Sequence, residues 1–103
     1  MLDTVISVRG IPIRLTDERW ANITEEHSEL AGMRFEILET VMRPSQIYQG
    51  GRGELIAIRE IGDGKYWAVI YRESELEGFI ITAFMTRRIK SMQKRSLLWS
   101  PPK

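Results

Sequence analysis

The spacing of apolar residues changes twice along this chain, and each change predicts a different kind of element. Residues 4–8 and 11–15 flank an "RG" turn and read as two short strands. "IPIRL" alternates apolar and polar positions, and Pro12, with no N–H to donate, favours an edge. From Thr16 the period lengthens to that of a helix. Thr16 is a good N-cap, and Asp17 and Glu18 place negative charge in the first turn, where the aligned peptide dipoles favour it. Trp20, Ile23, His27 and Leu30 then fall on one stripe, with Glu25, Glu26 and Glu29 mostly turned away. Gly32 ends this helix. "MRFEILETVM" resumes helical spacing through Met33, Ile37, Leu38 and Val41 until Pro44, whose ring keeps the preceding residue out of helical geometry.

Beyond Pro44 the period shortens. "GELIAIREI" (53–61), "KYWAVIYRE" (65–73) and "GFIITAFMT" (78–86) are rich in β-branched and aromatic residues. "GDG" at 62–64 signals a tight hairpin and "SELEG" a longer turn, so these strands form an antiparallel meander. "RRIKSMQKRSLLW" reads as a last helix or extended arm, and "SPPK" as a tail. The expectation is a single α+β domain over residues 1–103, with its core at about 4–90 and a basic segment at 87–103. Two N-terminal helices pack on a four-stranded or slightly larger antiparallel sheet.

Register decides which side chains share a face. A two-residue turn at Asp63-Gly64 pairs Arg59 with Ala68 and Leu55 with Arg72, placing both arginines on one face. Pairing Arg72 with Phe79 then puts Thr82 on the opposite face, beside Tyr71 and Trp67. A three-residue turn at Gly62 or a bulge changes the first relation, because a one-residue slip turns every side chain over, and the sequence leaves the register open.

Charge sharpens the picture. The net charge of +1 conceals two unlike parts. Residues 1–77 hold 9 basic and 14 acidic side chains, or −5, while residues 78–103 hold Arg87, Arg88, Lys90, Lys94, Arg95 and Lys103 with no acid, or +6. Such a segment is either a solvated basic helix, a dock for the acidic body of a second copy in a homo-oligomer, or a footprint for a polyanion such as RNA. The absence of cysteine excludes disulfides and thiolate-bound metals, and the one histidine is a poor basis for a metal site, so neither metal nor cofactor is expected. The first residues, "MLDTVISVRG", do not read as a signal peptide, and no apolar run approaches the ~20 residues of a membrane span. The expectation is a cytoplasmic protein without membrane contact.

Phosphate loops, nucleophile elbows and paired metal-ligand motifs are missing. "GGRG" at 50–53 is a flexible loop with Arg52 at its tip. What remains is His27, the strand residues Arg59, Lys65, Arg72 and Arg87, and the hydroxyls of Tyr71, Thr82 and Thr86. This inventory suits RNA cleavage through a 2′,3′-cyclic phosphate. There the substrate supplies its own nucleophile, and the protein supplies a proton acceptor, a proton donor and cationic stabilisation. His27 is the candidate acid or base, Arg59 and Arg72 the phosphate-stabilising pair, and Thr82 the orienting hydroxyl. Arg52, Lys65, Arg87, Arg88 and Lys90 are candidate contacts to the RNA backbone. Each has a plainer reading: a core histidine, a β-forming threonine, arginines paired with Glu60 or Glu73.

Three stretches carry a family resemblance. "ERWANITEEHSEL" resembles a helix pattern W-x-H-I-x-x-x-H-P-E-L, "VMRPSQIYQGG" resembles x-x-P-D-x-I-x-x-G, and "YWAVIYRESELEGFIITAFMT" resembles strands ending in I-I-T-A-Y. Together, over residues 15–90, they are similar to small phage and bacterial toxin-like nucleases of the barnase–EndoU–colicin–RelE superfamily. The resemblance implies two N-terminal helices on a four-stranded antiparallel sheet, metal-independent endoribonuclease activity, and an antitoxin or other protein partner. It places the pattern's second histidine on His27, its proline on Pro44, its strand arginine on Arg72 and its threonine on Thr82. Asn22 and Phe84 stand where the pattern has a histidine and a tyrosine. Asparagine exchanges no protons at neutral pH and phenylalanine has no hydroxyl. An alternative is therefore a weakened or inactive member that serves as an RNA- or protein-binding module.

Overall fold

The computed structural model describes residues 3–102; Lys103, counted above with the basic segment, lies outside them. Strands β1 (Asp3–Ile6) and β2 (Pro12–Leu15) form a hairpin and lead into α1 (Asp17–Glu26). A 3-10 turn at Ser28–Leu30 connects α1 to α2 (Arg34–Met42). Then come β3 (Gln46–Gln49), β4 (Leu55–Gly62), β5 (Lys65–Glu73), β6 (Gly78–Thr86), the short α3 (Ile89–Gln93) and β7 (Leu97–Trp99). Among the described residues the seven strands make one sheet in the order β1-β2-β6-β5-β4-β3-β7. All neighbours run antiparallel except β2 and β6, which are parallel. No helix is long and apolar enough to cross a membrane among the described residues.

Both layers follow from the apolar pattern. Ile23 of α1, Leu30 of the 3-10 turn, and Ile37, Leu38 and Val41 of α2 pack on one sheet face against Ile13, Leu15, Val69, Tyr71, Ile80 and Ala83. Excluding one such aliphatic side chain from water is worth ~1.5–3 kcal/mol. No residue of α3 is buried; it covers the other face through Ile89 and Met92 on Tyr48, Ile56, Ile58 and Ala68. The helix layer of α1 and α2 therefore anchors the fold, and α3 adds to it. Thr16 caps α1, its Oγ1 accepting from the Arg19 N–H at 3.1 Å. Arg34, at the start of α2, clips three elements together. Its guanidinium lies 2.6 Å from Asp3 and 2.8 Å from Asp17, and donates to the Leu15 carbonyl at 3.2 Å. Burial, with the Glu73 charge adding to it, pushes the Tyr71 phenol well above its ordinary range, so the ring enters the core neutral.

Several expectations are corrected. The sheet is larger than four strands and mixed rather than wholly antiparallel. Strand β3 falls in "QIYQ", too short and too polar to show a period, and β7 lies where a helix or arm was expected. β2 is not an edge: Pro12 stands at its first residue opposite Ile6, before the pairing with β6 begins. Helix α1 stops at Glu26, four residues before Leu30.

Two bulges change the faces. Asp63 (φ 54°) and Gly64 (φ 73°) form the expected two-residue turn, but Ile61 is skipped in the ladder, so Arg59 pairs with Trp67 instead of Ala68. Arg72 does pair with Phe79, yet Ile81 is skipped and Thr82 falls opposite Ile70. Arg59 therefore shares the helix-covered face with Trp67, Val69 and Tyr71. Arg72 and Thr82 share the other face.

The parallel junction holds two pairs, Ile13 with Gly78 and Arg14 with Phe79. A Cβ at Gly78 would collide with the Arg72 carbonyl oxygen of β5 and sit 2.6 Å from Ile13 Cδ1, so the close approach of β5 to β6 at this point requires glycine. Gly78→Ala is expected to cost ~1–3 kcal/mol in urea unfolding, the range of an overpacked core. Gly51→Ala, whose added methyl meets nothing within 4 Å, should stay within ~0.5 kcal/mol.

Candidate functional site

The junction is short because β2 ends at Leu15 and Thr16 turns the chain into α1. Beyond Phe79, β6 has no strand neighbour on that side among the described residues, and α1 lies beside it. Helix and strand edge enclose an open groove of about 450 Å³. From α1 it is lined by Arg19, Asn22, Glu26 and His27, and from β6 by Thr82 and Phe84.

His27 is fixed by backbone on both sides. Its N–H donates to the Ile23 carbonyl at 2.8 Å, closing α1, and its carbonyl accepts from the Leu30 N–H at 3.0 Å, opening the 3-10 turn. The side chain is 32% exposed, so it is neither a core histidine nor a free surface one. Its ring meets Phe84 at a centroid distance of 6.0 Å, tilted by 36°. Glu29 Oε2 stands 3.7 Å from Nδ1, near enough for Coulomb attraction to an imidazolium but too far for a hydrogen bond.

The other expected residues are spread over the sheet. Thr82 shares the groove with His27. Arg59 does not: it donates from Nη1 to the Arg43 carbonyl at 2.6 Å, with Nη2 3.9 Å from Glu39, and so satisfies the C-terminal end of α2. Arg72 lies at the far end of the open face, level with Phe79, in a second cavity with Arg14 and Gly53. Arg52 sits beside that end. Its N–H donates to Glu54 Oε1 at 2.6 Å, and this bond, with the Arg72 and Arg52 charges, holds the Glu54 carboxyl below the usual range. Lys65 opens β5 at the opposite end, seven residues from Arg72 and therefore on the order of 20 Å away. Arg87 and Arg88 follow β6 at Lys65's end, the Arg88 N–H donating to Thr86 Oγ1 at 3.0 Å, and Lys90 is exposed on α3.

Arg19 and Glu26 were not among the expected site residues. The signal was present: Arg19, Asn22 and Glu26 recur at three and four residues, one step round the helix from Trp20, Ile23 and His27. A stripe flanking the apolar one lies at the rim of the contact, where a side chain meets both neighbour and solvent. Among the described residues no group of three or more His, Asp or Glu side chains converges as a metal site would.

No family model, curated protein or solved structure matches this chain. The chemistry of the groove is therefore read from its own residues. Arg59→Ala should lower stability by about 1 kcal/mol, the worth of a cap hydrogen bond, and leave RNA affinity unchanged. Urea unfolding beside an RNA titration separates the two effects, and an affinity loss without a stability loss would return Arg59 to the site.

Proposed function

We propose that this protein is a metal-independent endoribonuclease, toxin-like in kind, that cleaves RNA by attack of the substrate's 2′-hydroxyl to leave a 2′,3′-cyclic phosphate. The observation that supports this reading most is the gathering of an imidazole, a carboxylate, a guanidinium and a hydroxyl on one open groove at a strand edge. Glu26 takes the 2′-hydroxyl proton as the new O–P bond forms. Protonated His27 gives a proton from Nε2 to the departing 5′-oxygen as the old O–P bond breaks. Arg19 stabilises the phosphorane charge between them, and Thr82 and Asn22 orient its oxygens. Arg19 thus takes the part first assigned to Arg59.

The second reading is an RNA- or protein-binding module that keeps the fold without the chemistry. It is favoured by Asn22 and Phe84, which line the groove at the two positions where the resembling family carries a histidine and a tyrosine. The first reading expects purified protein to cut single-stranded RNA in EDTA and leave cyclic phosphate ends. His27→Ala should slow cleavage by roughly 10²- to 10⁴-fold, the usual worth of a general acid or base. Expression in a bacterial host should be toxic for wild type and harmless for His27→Ala. An intact substrate pool across varied RNAs and ribosome-bound mRNA leaves only the binding reading.

The basic segment offers a separate check. If Arg87, Arg88 and Lys90 lie on the RNA backbone, each neutralised phosphate releases counterions, with a slope of roughly −0.7 per contact on single strands. Replacing Arg87 and Arg88 with Ala should lower the log–log salt slope by about 1.4 and weaken all sequences alike. A changed oligomeric state with unaltered RNA binding would instead assign the segment to a second copy, as sedimentation would show.

A further inference from the structure

The groove does not end at Arg19. A cavity of about 200 Å³ lined by Arg14, Arg19, Phe79 and Ile80 adjoins it, and Arg19 lines both. The next cavity, about 370 Å³, holds Arg14, Arg72 and Phe79, sharing Arg14 and Phe79 with the one before. Through these shared residues the three cavities follow one another along β6.

Its far end has an ordered chemistry. Arg14 on β2, Phe79 on β6 and Arg72 on β5 are direct cross-strand partners in successive ladders. Residues in register on neighbouring strands point to the same face, with Cβ atoms ~4.5–5.5 Å apart. Phe79 therefore stands in register between Arg14 and Arg72, with the Arg14 guanidinium on Glu77 and Arg72 Nη1 reaching toward Gly53. It is 43% exposed although it sits in the middle of three paired strands, where a large apolar side chain is normally covered. Glu73 also lines this cavity and Glu54 feels the Arg72 charge, while Glu77 pairs with Arg14 at 3.4 Å. Both members of that pair are more than half exposed, so the pair is weak in water and a phosphate displaces it.

We propose that Phe79, flanked by Arg14 and Arg72, is a stacking subsite for a base of single-stranded RNA whose backbone continues into the His27 groove. The proposal rests on the nuclease reading for its choice of ligand. A ring presents its face to any base, and the two guanidinium groups meet the phosphates on either side, so the subsite is indifferent to sequence and selects unpaired strands. The occupant is RNA and not an apolar peptide because the exposed ring is flanked in register by two arginines and the rest of its cavity includes the polar side chains of Glu73, Ser74 and Glu77. Binding here also explains how an open groove holds substrate: the contact is remote from the reacting phosphate and adds affinity that ground and transition states share.

The test uses the full chain and a labelled 12-nucleotide 2′-O-methyl oligo(A), which lacks the attacking hydroxyl and so is bound without being cut. Phe79→Ala should weaken binding by roughly 5- to 150-fold, the worth of one stacked base, with the salt slope unchanged because no charge is lost. Phe79→Trp should restore affinity, and Arg72→Ala should reduce the slope by ~0.7. An otherwise identical 12-mer without bases should bind wild type and Phe79→Ala alike. On cleavable RNA, Phe79→Ala should raise KM and leave kcat unchanged. Phe79→Ala binding as tightly as wild type while wild type cuts RNA overturns the subsite and leaves the nuclease standing. Binding that depends on Phe79 without any cutting overturns the nuclease and leaves the subsite. No binding of the oligonucleotide by wild type overturns the subsite outright.

Discussion

The two-residue parallel contact between β2 and β6 is the constraint on which the rest of this structure depends. It is parallel because α1 and α2 carry the chain across the sheet before the strands return, and it is short because Thr16 starts α1 directly after Leu15. A longer β2 would pair along β6 and close its edge. As built, the strand is released after Phe79 and the helix takes its place. Polar side chains of α1 then stand over main chain instead of over a packed sheet. Gly78 lets β6 pass close to the Arg72 carbonyl of β5 at the same point.

The rim of that helix gives the groove its character. The stripe of Trp20, Ile23 and Leu30 faces inward, and His27 continues it to the point where the sheet ends. The imidazole therefore has an aromatic partner on one side and solvent on the other. Such a position is neither of the two choices that periodicity alone offers. A residue at the last turn of an amphipathic helix, beyond the edge of the sheet it covers, belongs to both environments.

Helices, meander and the α+β class were legible because their signals are long: a cap at Thr16, a break at Pro44, three strands of eight or nine residues. The short elements were not. Four residues of "QIYQ" and three of "LLW" carry too few periods to separate a strand from a loop, and they become strands only because each finds a neighbour already in place. The faces stayed open for a different reason. Ile61 and Ile81 are β-branched residues within strand-like stretches, and nothing in their identity says that the ladder skips them. Each skip reverses one face, and together they separate Arg59 from Arg72 and bring Thr82 to Arg72's side. His27 was legible as a residue of interest because it is unique. Arg19 and Glu26 lie on the stripe beside the apolar one, where spacing alone does not separate a rim residue from a solvated one.

The closing strand β7 has a consequence for the cations before it. Residues 87–96 leave β6 and return to β3 through β7, with Ile89 and Met92 set on the sheet between. Both ends of this span are stitched into hydrogen-bonded ladders and its middle is pinned. A basic tail loses its chain freedom only when it meets a polyanion, and that loss offsets much of the Coulomb attraction. Here folding has already restricted the span, so its positive charges meet a ligand as part of a shaped surface and not as a tether.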